Sequence, residues 1–241
     1  MKRNKKGLFY RDAVWGKKTE MEQELIRILT DEATGLGIVL GPDELSHFSF
    51  FYDEFQMWNA KMNLTALEAG PSFVIKHFID SLQALPLIPK EAKTLLDLGT
   101  GGGFPGIPLK IVRNDLILTL LDSSRKKTSF LRQVVLRLGL SDVHVITGRV
   151  EEQAREGRGG GEFDVVISRA TFKMSQILEL GCRFVKREGR IIAMKGRDVT
   201  EELGKTQTVM NHFNLRLVER RETTLPRLGD ARTLLVYKKD W

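Results

Sequence analysis

Three stretches near the start of the chain repeat apolar residues at helical spacing. Met21, Leu25, Ile28 and Leu29 form the first. Leu45, Phe48, Tyr52 and Phe55 form the second, after a Gly41-Pro42-Asp43 start signal. Val74, Phe78 and Leu82 mark one face of a third, between Pro71 and Leu85. From Thr94 the rhythm changes to short β-rich runs at Thr94–Leu98, Leu116–Leu121, Val143–Thr147, Phe163–Ser168, Arg190–Met194, Leu215–Arg220 and Thr233–Tyr237. Helical patterns separate most of them, at Ile107–Val112, Ser124–Leu138, Glu151–Arg155, Ser175–Val185 and Glu201–Phe213. Alternation of this kind predicts an α/β fold: a mostly parallel sheet covered on both faces, preceded by a helical layer. The final pair of strands is joined by Glu222–Arg232, which carries no helical pattern, so that pair is expected to be antiparallel. The expected division is a basic tail over 1–20, a helical extension over 21–90 and a sheet domain over 91–241. Gly157–Gly161 is expected to form a loop.

Composition narrows this picture. The chain has 241 residues, 41% apolar and 29% charged, which excludes disorder as the dominant state. One cysteine, Cys182, cannot form an internal disulfide, and no Cys/His cluster has metal-ligand spacing. The longest uncharged stretch is 12 residues, Leu98–Leu109, too short to span a bilayer. A cytoplasmic, metal-free protein with no membrane association is therefore expected, and no oligomerisation signal argues against a monomer. The formal charge of +7 is unevenly placed. Residues 1–20 carry 7 basic and 2 acidic side chains, residues 21–182 carry 17 and 21, and residues 183–241 carry 14 and 8. A slightly acidic middle between basic ends favours a polyanionic partner with a local footprint.

The strongest chemical signal is Asp97-Leu-Gly99-Thr-Gly101-Gly-Gly103-Phe104-Pro105-Gly106, where the first strand gives way to a helix. Gly101 to Gly106 spells a GxGxxG dinucleotide pattern, but Pro105 and Pro108 remove amides that a pyrophosphate would need. Asp97 at the strand end would repel a pyrophosphate, yet suits the ammonium of an amino-acid tail. Asp122 closes the second strand, where a carboxylate takes ribose hydroxyls. The two acids together favour S-adenosylmethionine. Gly148-Arg149-Val150-Glu151 follows the third strand and could present an amide and a side chain to an adenine edge, and Arg169 ends the fourth. Lys195 and Arg197, past the fifth strand, are the leading candidates for phosphate contacts, with Arg125, Lys126 and Lys127 at a helix start as further ones.

These pieces together resemble the bacterial small-subunit rRNA guanine-N7 methyltransferase family (RsmG, also called GidB). The resemblance runs from about Trp58 to Lys238. It rests on Trp58-Asn59-Ala-Lys61-Met-Asn63-Leu64-Thr65, His77-Phe-Ile-Asp80-Ser81-Leu82, the DLGTGGGFPGIPLKIV run from Asp97, LLDSSRKK over 120–127, GRVEE over 148–152, SRA over 168–170 and Lys195-Gly196. It implies a Rossmann-like class I methyltransferase with a seven-stranded sheet. It further implies S-adenosylmethionine contacts at Gly99, Phe104, Val150, Glu151 and Arg169, and methylation of guanine 527 in the 530 loop of 16S rRNA, free or within the 30S particle. A small-molecule methyltransferase would keep Asp97 and Asp122 but leaves the basic ends unexplained. A non-catalytic nucleic-acid binder would have no use for an intact glycine loop.

Overall fold

The computed structural model describes residues 19–62, 64, 69–156, 160–169, 172–196 and 199–240. Arg197, most of the basic tail and residues 157–159 of the glycine-rich loop lie outside them.

Helix α1 (Glu20–Gly35) opens with a capping box: Glu22 N–H donates to the Thr19 hydroxyl at 3.2 Å, and Thr19 N–H donates to the Glu22 carboxylate at 2.7 Å. Helix α2 (Pro42–Met62) starts on the expected proline. The third pattern is not one uniform helix. It divides into α3 (Pro71–Phe73), a π-helical turn (Val74–Ile79) and α4 (Asp80–Leu82). In the widened turn the Asp80 amide bonds Ile75 O, five residues back. Lys76 O, which takes that amide in a regular α-helix, accepts instead from the guanidinium of Arg169, distant in sequence, at 2.9 Å. Apolar spacing could not register this, because one residue of widening leaves the buried stripe in place.

The sheet has seven strands in the order β3-β2-β1-β4-β5-β7-β6. They are β1 (Thr94–Leu98), β2 (Ile117–Asp122), β3 (Val143–Thr147), β4 (Phe163–Arg169), β5 (Val185–Lys195), β6 (Leu215–Thr224) and β7 (Ala231–Lys239). The first five pair in parallel, and β7 lies antiparallel between β5 and β6. Between the strands run α5 (Gly106–Val112), α6 (Arg125–Leu138), α7 (Val150–Arg155), α8 (Met174–Phe184), α9 (Thr200–Gly204) and α10 (Gln207–Phe213). The expected Rossmann-like architecture is present, with two local differences. Strand β5 begins at Val185, directly where α8 ends, because Val185 pairs with Phe163 ahead of an irregular turn through Glu188 and Gly189. The single helix expected over Glu201–Phe213 breaks at Lys205 and Thr206, where the Thr206 hydroxyl donates to Leu203 O at 2.8 Å.

The helical extension and the sheet share one core. A continuous apolar cluster runs from Leu25 and Ile28 through Phe48, Phe51, Phe55 and Phe78 to Leu95, Phe104, Phe130 and Leu234. A second cluster, built around Ile177, Leu178, Ile191 and Tyr237, fills the opposite face of the sheet beneath α8. Within the first cluster the Phe55 ring lies 5.5 Å from that of Phe104 on the glycine loop and 5.5 Å from that of Phe130 on α6. A Cβ on Gly102 would meet the Phe55 ring at 2.5 Å, so the loop's backbone rests directly on the extension.

Phe55→Ala is therefore expected to cost about 3–5 kcal/mol in denaturant unfolding, the range for a fully buried aromatic. Leu136→Ala, at a side chain 80% exposed on α6, is expected to leave the midpoint unchanged.

Candidate active site

Open α/β sheets bind ligands at the carboxyl ends of their strands, where the strand order reverses. Here that point is between β1 and β4, which are neighbours with connections running in opposite directions. The glycine loop leaves β1 there. Gly99 and Gly101 adopt φ of 68° and 59°, a region that side chains disfavour. The turn is held from below by Asp97, which is fully buried. Its Oδ2 accepts from the Thr100 hydroxyl at 2.6 Å and from Gly106 N–H at 2.8 Å, and Oδ1 has no partner among the described residues. The first amides of α5 are thus already used, with Ile107 N–H donating to Gly103 O and Leu109 N–H to Pro105 O. A pyrophosphate finds no open helix N-terminus, which removes the dinucleotide reading.

Asp122 ends β2 beside this loop. Its Oδ2 accepts from Gly101 N–H at 2.9 Å and its Oδ1 from Ser124 N–H at 2.8 Å, so each oxygen keeps a lone pair for a further donor. Gly148 N–H donates to Asp122 O at 3.0 Å, which brings the turn after β3 alongside. Val150 is buried and Glu151 exposed at the start of α7.

Arg169 leaves the end of β4 and meets the extension. Its Nη1 donates to Lys76 O at 2.9 Å and to Asp80 Oδ2 at 3.0 Å, and its Nη2 donates to His77 Nδ1 at 3.0 Å. A guanidinium has no lone pair to offer, so His77 Nδ1 is the acceptor and the imidazole proton sits on Nε2. Burial, with Arg169 and Lys76 nearby, pushes His77 down to about 3, so the ring is neutral. It stacks on Phe104 with centroids 4.4 Å apart, and the Arg169 guanidinium lies 5.3 Å from the centre of the Phe104 ring. Asp80 is also bonded by Arg232 Nε from β7, at 3.0 Å to Oδ1.

The glycine loop, Asp122, Arg169, His77, Asp80 and Arg232 border one cavity of about 710 Å³, within the range of small-molecule sites, and Val150 and Glu151 are not part of its lining. Of the residues singled out from sequence, Gly99, Gly101, Phe104, Asp122, Lys127, Arg169 and Lys195 line it. Gly103 packs beneath the loop against Ile107, Asp97 lies behind the wall, and Arg125 and Lys126 are exposed on α6. Lys195 is less available than its position suggested, because its ammonium donates to Phe172 O at 2.8 Å and pairs with Glu202 at 2.9 Å. The lining also holds Lys76, His77, Asp80 and Arg232. Sequence reasoning takes His77 for a hydrogen-bonded core or supporting residue and not a catalyst, and gives Lys76, Asp80 and Arg232 no role in the site, although Lys76 and Asp80 stand four residues apart beside an apolar stripe.

The rRNA small subunit methyltransferase G family, GidB, matches residues 44–224. The chain belongs to that family. The small subunit methyltransferase G of Syntrophus aciditrophicus is 40% identical over 214 residues, covering 88% of this chain and 89% of the relative. That of Acetivibrio thermocellus is 37% identical over 220 residues, covering 91% and 90%. Among solved structures, cofactor-bound Rv0187 from MTB matches with a TM-score of 0.57 at 19% identity, over 80% of this chain and 90% of that one. M. jannaschii TYW2 in complex with AdoMet matches with a TM-score of 0.53 at 16% identity, over 67% and 74%. These two likenesses establish the fold.

Burial raises the Asp97 carboxyl from 3.8 to about 6, against the opposing pull of its bonds from Thr100 and Gly106. The folded chain therefore holds an extra proton between those values, so this group's contribution to stability falls as pH rises across the interval and is level above it. Asp97→Asn is expected to match or exceed the wild type in thermal unfolding above about pH 7, with the difference shrinking towards pH 4. A variant less stable than wild type at pH 7 and unchanged relative to it at pH 4 would refute this.

Proposed function

We propose that the cavity binds S-adenosylmethionine against the glycine loop and methylates N7 of a guanine in 16S ribosomal RNA, guanine 527 of the 530 loop by resemblance. The observation that carries this reading is the glycine loop itself: two strand-end acids flank it, and its helix amides are closed to pyrophosphate. Family membership supports ribosomal RNA as the substrate.

The groups present fit the cofactor. Asp122 keeps a lone pair on each oxygen for ribose hydroxyls, and the Gly99–Gly101 backbone lines the cavity beside it. Asp97 sets the negative potential behind the loop for an ammonium, and Gly148, bonded to Asp122, leads into Val150 and Glu151, which we assign to the adenine edge. When bound, S-adenosylmethionine supplies a methyl group on a positively charged sulfur. Guanine N7 carries a free lone pair, so no proton leaves before the new bond forms and the charge passes to the purine. The site matches that requirement. His77 is neutral with its proton on Nε2, Asp97 is buried, and Asp80 is held between two guanidiniums. None is placed to act as a base. Alignment of the attacking nitrogen with the carbon and sulfur then supplies the rate, an effect worth about 7–11 kcal/mol when geometry is fixed.

The protein is to be incubated with labelled S-adenosylmethionine and either unmodified 30S particles, naked 16S rRNA or a metabolite pool, and the label mapped by reductive cleavage at N7-methylguanine. Label at one guanine of the RNA is expected. Label on an exocyclic amine or only on small molecules would reject the proposal, and RNA binding without transfer would favour a non-catalytic binder. Asp122→Ala is expected to weaken calorimetric S-adenosylmethionine binding about tenfold or more, the value of hydrogen bonds to a charged group.

A further inference from the structure

Besides the glycine loop, the cavity wall is formed by the π-helical turn, α4 and the start of β7, which carry Lys76, Asp80 and Arg232. Two ion pairs of opposite sense cross between these segments. Asp80 accepts from Arg232 Nε at 3.0 Å and is only 3% exposed, whereas Lys76 and Asp230 meet at 3.6 Å with side chains 35% and 42% exposed. The first pair is a buried support. The second is long and wet, a kind of pair that contributes little, so an incoming anion can replace Asp230 at small cost.

The charge balance calls for such an anion. Five basic side chains line the cavity, Lys76, Lys127, Arg169, Lys195 and Arg232, against the acids Asp80 and Asp122. Adding the buried Asp97 and the acids paired just outside the lining, Asp230 on Lys76 and Glu202 on Lys195, brings the two signs level. The proposed cofactor is itself a net cation, so the second ligand has to bring negative charge into the same space. A phosphodiester does so. Of the five cations, Arg169 and Lys195 are held by neighbouring acids and carbonyls, and Lys127 stands near Gly101, with its Nζ 3.9 Å from where a Cβ there would sit. Among the described residues, Arg232 places Nε on Asp80 and Nη1 on Ala231 O, which leaves Nη2 for a ligand, and Lys76 has only the loose contact with Asp230.

Resting on the function proposed above, we infer that Lys76 and Arg232 grip the phosphodiester of the target nucleotide, with Asp80 orienting Arg232 and Asp230 holding Lys76 until RNA arrives. Phosphate contacts of this type position a nucleotide without reading its base.

The test compares wild type with Lys76→Met, Asp230→Asn and Arg232→Lys on an unmodified 16S rRNA transcript, with Lys205→Met as a charge-matched control on an exposed α9–α10 side chain. Lys76→Met is expected to weaken RNA binding and to reduce the slope of log K against log salt by about 0.7–0.9, the loss of one phosphate contact. Asp230→Asn is expected to tighten RNA binding, because it removes the competing carboxylate. Arg232→Lys keeps the charge opposite Asp80 and loses the fork, so KM for RNA is expected to rise about tenfold or more while calorimetric S-adenosylmethionine affinity holds. Lys205→Met should leave the slope unchanged. If the Lys76–Asp230 pair were only structural, both of its variants would shift binding in the same direction, and that result overturns the inference. So does a Lys205→Met effect equal to that of Lys76→Met, or an unchanged KM in Arg232→Lys. Absence of N7-methylguanine with wild-type protein that binds S-adenosylmethionine would overturn the proposed function instead, which keeps the two failures distinct.

Discussion

A guanidinium is removed from water only where acceptors and opposite charge replace the solvent, and Arg169 sets the terms on which this structure is assembled. Its side chain is 14% exposed. Its donors reach a carbonyl freed by the π-helical turn, a carboxylate on α4 and an imidazole between them, while its face lies over Phe104 of the glycine loop. Three separate parts of the chain, the extension, β1 with its loop and β4, are fixed relative to each other by one side chain. A regular helix over Pro71–Leu82 would give the Lys76 carbonyl to Asp80 N–H, so the irregularity in that helix and the buried arginine are two aspects of one arrangement.

The extension is accordingly part of the site and not an appendage to it. Phe55, Phe73 and His77 contact the Phe104 ring, and the Gly102 backbone lies against Phe55. A loop rich in glycine has more conformations to lose than any other segment of this length. Here the aromatic slab restricts it from one side and the Asp97 carboxylate from the other. The Asp97 arrangement costs stability, since a buried carboxyl with one unpartnered oxygen is forced towards its neutral form. Strain of this kind is found where a ligand is to be bound.

The order of strands and helices was legible because buried parallel strands and amphipathic helices impose different periods on the sequence, and all seven strands lie where those periods change. What the period does not encode is a change in helical width, as at Val74–Ile79, or a short break such as that at Lys205 and Thr206, since neither disturbs the apolar stripe. The glycine loop and Asp122 were legible for a different reason: they are contiguous with strand ends, so their place on the rim follows from topology. Asp80 and Arg232 are 152 residues apart and meet only in three dimensions. Segment charge was a coarse guide for the same reason. Arg220, Arg221 and Arg227 contribute to the basic C-terminal end, yet each is paired with an acid, Glu222, Glu219 and Glu32, while Arg232 alone of these four is carried into the cavity.

The ionisable groups around the cavity are mostly committed to shape. Asp97 folds the loop, Asp80 divides itself between two arginines, and His77 is kept neutral by burial, helped by the same Arg169 that bonds it. An enzyme that had to remove a proton would need one of these groups at an intermediate pKa, exposed and within reach of the substrate. A nucleophile that already carries its lone pair needs none of them in that role. It needs a rigid wall, a fixed cofactor and a positive pocket that receives a nucleotide through its phosphate. Committing Asp97, Asp80 and His77 to structure suits the proposed transfer to a guanine N7, which asks for alignment and not for proton removal.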